Sequence, residues 1–186
     1  KYGSKIKINF NKNNRGYGGN IKNCLSYALK KNFNYALMLH GDNQYNPKYI
    51  TKMLNIITNT NKYVSVSGSR MMKKSLALKG KMPFYKFLGN MFLTKVFNLV
   101  FNTKFTDCHT GYWAYNLNRI DKKIFFNCDN NFCFDIDLRL QLVNNNFPIK
   151  EISIKTFYGT ERSSFHMIYA IRFFFKIFKY KLLRIL

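Results

Sequence analysis

A chain of 186 residues with 47% hydrophobic and 18% aromatic content carries enough apolar material for one sizeable core, which excludes a disordered tail or linker. Its formal net charge of +23 would suit nucleic acid or an anionic membrane surface. The lysines are scattered, and the accompanying wealth of Asn, Ile, Phe and Tyr is the pattern of an AT-rich coding bias, so lipid and phosphate-bearing substrates are favoured and nucleic acid is not expected as a partner.

In chain order, Lys5 to Phe10 alternates as a strand does, and Asn13 to Asn20 reads as a glycine-rich loop opening a helix around Ile21 to Lys31. Backbone N–H groups at such a helix start can hold phosphate, which makes Gly16, Gly18, Gly19 and Asn20 candidate donor contacts. The glycines serve a tight turn or a close helix contact equally well. Tyr35 to Leu39 is a short apolar run expected as an interior strand of a parallel sheet, and Pro47 opens a helix to about Thr58 with Ile50, Met53, Leu54 and Ile57 on one face. Tyr63 to Ser67 is the next strand, ended by Gly68-Ser69-Arg70. Pro83 to Phe101 is helical in pattern, Phe105 to Tyr115 strand and loop, Phe134 to Asn144 an amphipathic helix, and Ile149 to Thr156 a strand before the last helix. This alternation, with no repeat and no linker, predicts one layered α/β domain over residues 1–164, followed by a basic amphipathic helix over 165–186.

The turn His40-Gly41-Asp42-Asn43-Gln44 follows the apolar run, and open α/β sheets bind ligands at the carboxyl ends of their strands. Asp42 and Gln44 are hard oxygen donors suited to Mg²⁺ or Mn²⁺ when a diphosphate completes the shell. An Asp/Asn turn leading into a Pro-started helix is the plain alternative. Arg70, at a strand end, is placed to pair with a phosphate in bidentate fashion or to make a surface salt bridge. Asp107, His109, Thr110 and Gly111 gather ionisable, hydroxyl and backbone groups around one glycine and are candidates for an acceptor pocket. Asp135 and Asp137 open a helix, where a dipole favours carboxylates without chemistry, but either can accept a proton.

Cys24, Cys108, Cys128 and Cys133 form no C-x-x-C pair, and with His40, His109 and His166 the only histidines, the expectation is free thiols in a reducing cytosol. Pro83 to Phe101 and Phe165 to Leu186 are apolar but broken by lysine and arginine, so neither supplies the ~20 apolar residues of a membrane span. The first suits a core helix or an interfacial one equally. The last, with Phe173-Phe174-Phe175, suits a helix lying in the headgroup region at the inner face of the membrane.

Asn14 through Gln44, Gly68-Ser69-Arg70, Met82-Pro83-Phe84-Tyr85-Lys86, His109-Thr110-Gly111-Tyr112 and Tyr158-Gly159-Thr160-Glu161, in this order and spacing, resemble a family 2 glycosyltransferase. The branch most similar is that of the bacterial enzymes like dolichyl-phosphate mannose synthase. The resemblance implies a nucleotide-sugar-binding (GT-A) fold, a Rossmann-like mixed sheet flanked by helices. It also implies transfer of a sugar from a nucleoside-diphosphate donor, with inversion, to a polyprenyl phosphate or glycan. Mg²⁺ or Mn²⁺ would be held by Asp42 and Gln44, with His40, standing where relatives carry the first acid of the metal motif, as the third metal residue or a contact to the donor. Arg70 matches an arginine that neutralises phosphate, and Trp113 stands where the acceptor motif usually continues with Arg. Relatives begin with two further strands, the second ending in an Asp-Asp pair. Neither precedes Lys1, so a catalytic domain lacking its first nucleotide-binding strands is expected.

Overall fold

The computed structural model describes residues 6–159 and 167–185. In chain order the elements are α1 (Gly16–Lys30), β1 (Tyr35–Met38), α2 (Tyr49–Asn59), β2 (Ser65–Ser69), α3 (Lys74–Lys79), α4 (Phe84–Phe101), β3 (Trp113–Asn116), α5 (Lys122–Phe126), α6 (Phe134–Asn144), β4 (Ile149–Ser153) and α7 (Met167–Ile185). The four strands form one mixed sheet in the order β1-β3-β2-β4, flanked by helices. β3 is antiparallel to both β1 and β2, whereas β2 and β4 run parallel.

Alternation along the strands sorts side chains to the two faces. Val66 and Ala114 are paired across β2 and β3 and pack with Met53 and Ile57 of α2. Trp113 and Tyr115 point the other way, into a core shared with Ile21 and Leu25 of α1 and with Phe134, Leu138 and Leu142 of α6. A third cluster joins Leu93, Phe97 and Phe101 of α4 to Ile136 and Leu140 of α6 and to Phe173 and Ile177 of α7.

Several expectations are corrected. Residues 6–10 form no strand: their alternation supplies an apolar side that packs into no core cluster among the described residues, and Ile6, Ile8 and Phe10 are 65%, 66% and 90% exposed. Lys5 lies outside the described residues, as do Thr160, Glu161, Phe165, His166 and Leu186. β1 is not an interior strand of a parallel sheet. It pairs antiparallel with β3 on one side and with no strand on the other among the described residues, and it is only half-buried. A short apolar run does not by its periodicity reveal how many neighbours it has. The short helices α3 and α5 were not expected.

α6 is not amphipathic either. All but two of its residues are buried, Asp135, Asp137 and Arg139 included, because α1, α5 and α7 and the sheet enclose it. Arg139 is accommodated at full burial between the rings of Phe105 and Trp113, its Cζ 4.6 Å from each ring centre. Its Nη2 donates to Ser67 Oγ at 3.2 Å and to the Asp107 carbonyl at 3.1 Å, and Glu151 is its ion partner at 3.9 Å. The small serines of β2 leave room for this side chain, and that is why so polar a strand can be wholly buried.

The glycine run is the first turn of α1 and not a loop before it. Gly16 has φ +74° and donates to Asn14 Oδ1 at 2.8 Å, and Gly19 N donates to the Asn130 carbonyl at 2.9 Å. Two of the amides proposed for phosphate are therefore satisfied within the protein. At Gly18 an added Cβ would lie 2.8 Å from Phe134 Cβ and collide with the Asp129 carbonyl. Gly18→Ala is expected to destabilise the fold by about 1–3 kcal/mol through overpacking. Gly41→Ala, with nothing near it, should be neutral in the same urea unfolding measurement.

Candidate active site

A cleft of about 1060 Å³ opens beside the free edge of β1. It is lined by α1 through Tyr17 and Asn20, by the turn after β1 through His40, Asp42 and Gln44, by Arg70, by Lys86 and Asn90 of α4, and by His109, Gly111 and Asp135. The volume is at the upper end of the range of small-molecule sites. Of the predicted residues, Gly16, Gly18, Gly19, Asp107, Thr110 and Asp137 do not line it.

Asp42 accepts from Gln44 N at 3.1 Å through Oδ1, an Asx turn that turns the chain at the end of β1 and sets both side chains in the cleft wall. For a divalent cation they offer one carboxylate and one amide carbonyl, which are hard oxygens of the right kind. No group of three His, Cys, Asp or Glu side chains that could hold a metal occurs among the described residues, so a bound diphosphate would have to complete the shell. His40 is turned to other company. Its Nε2 lies 2.9 Å from Tyr17 Oη, its ring packs edge-on against Tyr17 and Tyr45, and a Cβ on Gly111 would come within 2.6 Å of its Cε1. Burial lowers the His40 pKa against the opposing pull of Asp42. The neutral ring acts as a packing and hydrogen-bonding group.

Arg70 is fixed by Asp107. Nε and Nη2 reach the two carboxylate oxygens at 2.6 and 2.8 Å, and Nη1 donates to Tyr158 Oη at 3.0 Å. The bidentate edge expected to meet a phosphate thus meets a carboxylate, because a buried charge must be paired. Asp107 also accepts from Asn90 Nδ2 and from the amides of Arg70 and His109. Burial opposes its ionisation, but Arg70 and these donors outweigh burial and hold its pKa well below the usual carboxylate range. It is an anchor, with no capacity to take a proton. Among the described residues lining the cleft, the cation without a carboxylate partner is Lys86; its Nζ lies 5.9 Å from the centre of the Tyr158 ring, and its pKa is lowered by burial and by nearby Arg70. In the sequence Lys86 stands out as the end of the Met82-Pro83-Phe84-Tyr85-Lys86 motif and as a break in an apolar helix, neither of which assigns it to the cleft.

Thr110 is buried and its Oγ1 accepts from Tyr112 N, a turn contact. Gly111 N donates to Tyr45 Oη at 3.1 Å. Trp113 is wholly interior, its Nε1 donating to the Thr110 carbonyl. His109 packs edge-on against Phe173 at 4.6 Å, with its pKa lowered to about 4 by burial.

The two acids of α6 divide. Asp137 is gripped by Lys176 of α7 at 2.6 and 2.7 Å and accepts from Asp129 N, so it docks the last helix. Asp135 faces the cleft. Its Oδ2 accepts from Tyr17 Oη at 2.7 Å, and its Oδ1 is buried with no hydrogen-bond partner. Burial pushes its pKa up to about 7, against the Tyr17 hydrogen bond and the fields of Arg139 and Arg70. A carboxylate in a cleft wall, raised toward neutrality and with one oxygen not committed to a partner, has the character of a general base. Tyr17 escaped the sequence reading although it is the one bulky residue in the glycine run.

Residues 1–125 match the sequence model of glycosyl transferase family 2. The chain belongs to that family. No curated protein matches it. The match is to the family and not to a branch of it, and it spans every lining residue of the family 2 cleft named above except Asp135. The mixed sheet with flanking helices is consistent with the family's nucleotide-sugar-binding architecture.

Asp107→Ala leaves the Arg70 guanidinium buried and unpaired and is expected to destabilise the fold by about 3–5 kcal/mol in urea unfolding. For Asp135 the folded pKa lies above the ordinary value near 3.8, so the folded state binds the proton more tightly, and this group's contribution to stability is lost as pH rises from about 4 through about 7. Asp135→Asn is therefore expected to raise the thermal midpoint at pH 8 and to change it little at pH 4.

Proposed function

We propose that the protein is an inverting glycosyltransferase that moves a sugar from a nucleoside-diphosphate sugar to a polyprenyl phosphate or glycan acceptor. The observation that carries the proposal is the convergence of Asp42, Arg70 and Asp135, far apart in sequence, on one cleft. Asp42 and Gln44 would hold Mg²⁺ or Mn²⁺ against the donor diphosphate. When bound, the cation supplies a Lewis acid that stabilises negative charge on the departing nucleoside diphosphate.

Lys86 and the outer side of Arg70 add positive potential at the same end of the cleft and favour an anionic donor. Asp135, in the cleft wall, serves a hydroxyl acceptor by taking its proton, while the Tyr17 hydrogen bond holds the carboxylate in place through Oδ2. For an acceptor that is already a phosphate anion, no proton needs removing, and Asp135 orients without acting as base. Single displacement with the acceptor attacking opposite the diphosphate inverts the anomeric centre. Resemblance to the polyprenyl-phosphate branch rests on the order of the motifs from Asn14 to Tyr158.

Incubation with a panel of UDP- and GDP-sugars and Mn²⁺ is expected to release nucleoside diphosphate from one donor class. Asp42→Ala and Asp135→Asn should each lower turnover with a hydroxyl acceptor by roughly 100-fold or more. Wild-type rates should rise with pH through an apparent pKa near 7, the range to which burial raises Asp135. A folded protein inactive with every donor and acceptor would overturn the proposal.

A further inference from the structure

Ten of the nineteen large apolar side chains exposed among the described residues lie on α4 and α7. On α4 they are Phe84, Tyr85, Leu88, Phe92 and Leu99, 65%, 64%, 48%, 60% and 74% exposed, and their spacing sets them on one side of the helix. On α7 they are Ile168, Ile171, Phe175, Phe178 and Leu182, spaced by three and four residues and likewise on one side. Each helix has a separate buried side, which carries Phe97 on α4 and Phe173 on α7 with ring centres 6.3 Å apart. The core demand of both helices is thus already met by other residues.

The two exposed rows adjoin. Val96 and Val100 on α4, and Ala170 and Phe174 on α7, are among the half-buried residues of the cluster that joins the helices, with Tyr180 on the side of α7 away from its exposed row. On a helical wheel each pair falls between its helix's buried side and its exposed row, so the seam between the helices runs along the rows and unites them into one plate. Isolated exposed apolar residues are ordinary, but a contiguous plate of this kind marks a partner.

Charge selects the partner. Neither α4 nor α7 contains an Asp or Glu, and Lys95, Arg172 and Lys179 are exposed beside the apolar rows. A second copy of this chain would bring a like-charged rim against it. Nucleic acid would meet the cations but leave the phenylalanines in water. An anionic bilayer satisfies both, since acyl chains receive the aromatic and aliphatic groups while headgroups meet the lysines. No described helix is long and apolar enough to cross a membrane.

We propose that α4 and α7 together form a docking surface that seats the protein on the headgroup region of an anionic lipid bilayer. Tyr85 belongs to the plate and to the wall of the cleft, so docking brings the cleft mouth to the lipid. Taken with the proposed sugar transfer, on which this last step rests, a lipid-linked acceptor reaches the cleft without leaving the bilayer. α7 in turn holds the site through Phe173 against His109 and Lys176 on Asp137.

The test is co-flotation of the full chain with phosphatidylcholine vesicles, with and without phosphatidylglycerol, which reads binding and not turnover and so stands apart from the catalytic proposal. Binding is expected to the anionic vesicles and to weaken with salt. Phe92→Ser, Leu99→Ser and Phe175→Ser combined should reduce it by about 100-fold or more, with the thermal midpoint showing that the variant folds. Single Leu99→Trp and Phe175→Trp reporters should both be quenched by brominated lipid. Failure of the wild type to float with anionic vesicles, or equal binding by the triple variant, would overturn the proposal. So would a salt-resistant dimer that the triple substitution dissolves.

Discussion

The buried group of Arg70, Asp107, Arg139 and Glu151 is the constraint around which the rest is arranged. Four ionisable side chains have been taken from water where β2, β4, α6 and the loop before β3 meet, and each must be answered by another. Glu151 of β4 accepts from the Thr106 amide at 2.7 Å, and Asp107 beside it takes Arg70, so the loop before β3 is tied to the sheet by carboxylates on both sides. Replacing any one member leaves its partner charged and dry. A network of this kind adds little net stability but allows few alternative arrangements.

That arrangement positions the cleft. With Arg70 clamped, its charge stands at a fixed place at the end of β2, and with the loop before β3 pinned, Gly111 lies close enough to confine His40. His40 then meets Tyr17, and Tyr17 meets Asp135. The chain of contacts from a packing glycine to the Asp135 carboxylate runs through Tyr17 on α1 and His40 in the turn after β1. The glycines of α1 take part by letting the helix approach the loop at Asp129 and Asn130, which carries Phe132 against Tyr17 at 5.5 Å. Their role is close packing of the wall behind the site.

The α6 acids show how burial assigns roles to neighbours of the same type. Asp135 and Asp137 are two residues apart on a helix and so point in different directions. One meets a neutral phenol and the other an ammonium group from α7. The first stays near its titration point and the second is spent on docking α7. The +23 charge, which in composition looks diffuse, gains a direction in the same way. Asp107, Asp135 and Asp137 are buried and Asp42 lines the cleft, while α4 and α7 have no acid.

Much was legible in the sequence. The bounds of α6, nearly the whole of α2 and α4, and the layering of helices on a sheet follow from apolar spacing and from Pro and Asn at the ends, which are local properties. The mixed strand directions are implied by the family resemblance and not by any local spacing. The placement of Asp42, Gln44 and Arg70 at strand ends followed from the same logic. Tertiary structure alone decided which groups were free. No local pattern states that the fork of Arg70 is filled by Asp107, that Asp137 belongs to Lys176, or that Tyr17 and Lys86 reach the cleft. Each is a contact between segments distant in the chain, and the pairing of a buried charge depends on what else is buried beside it.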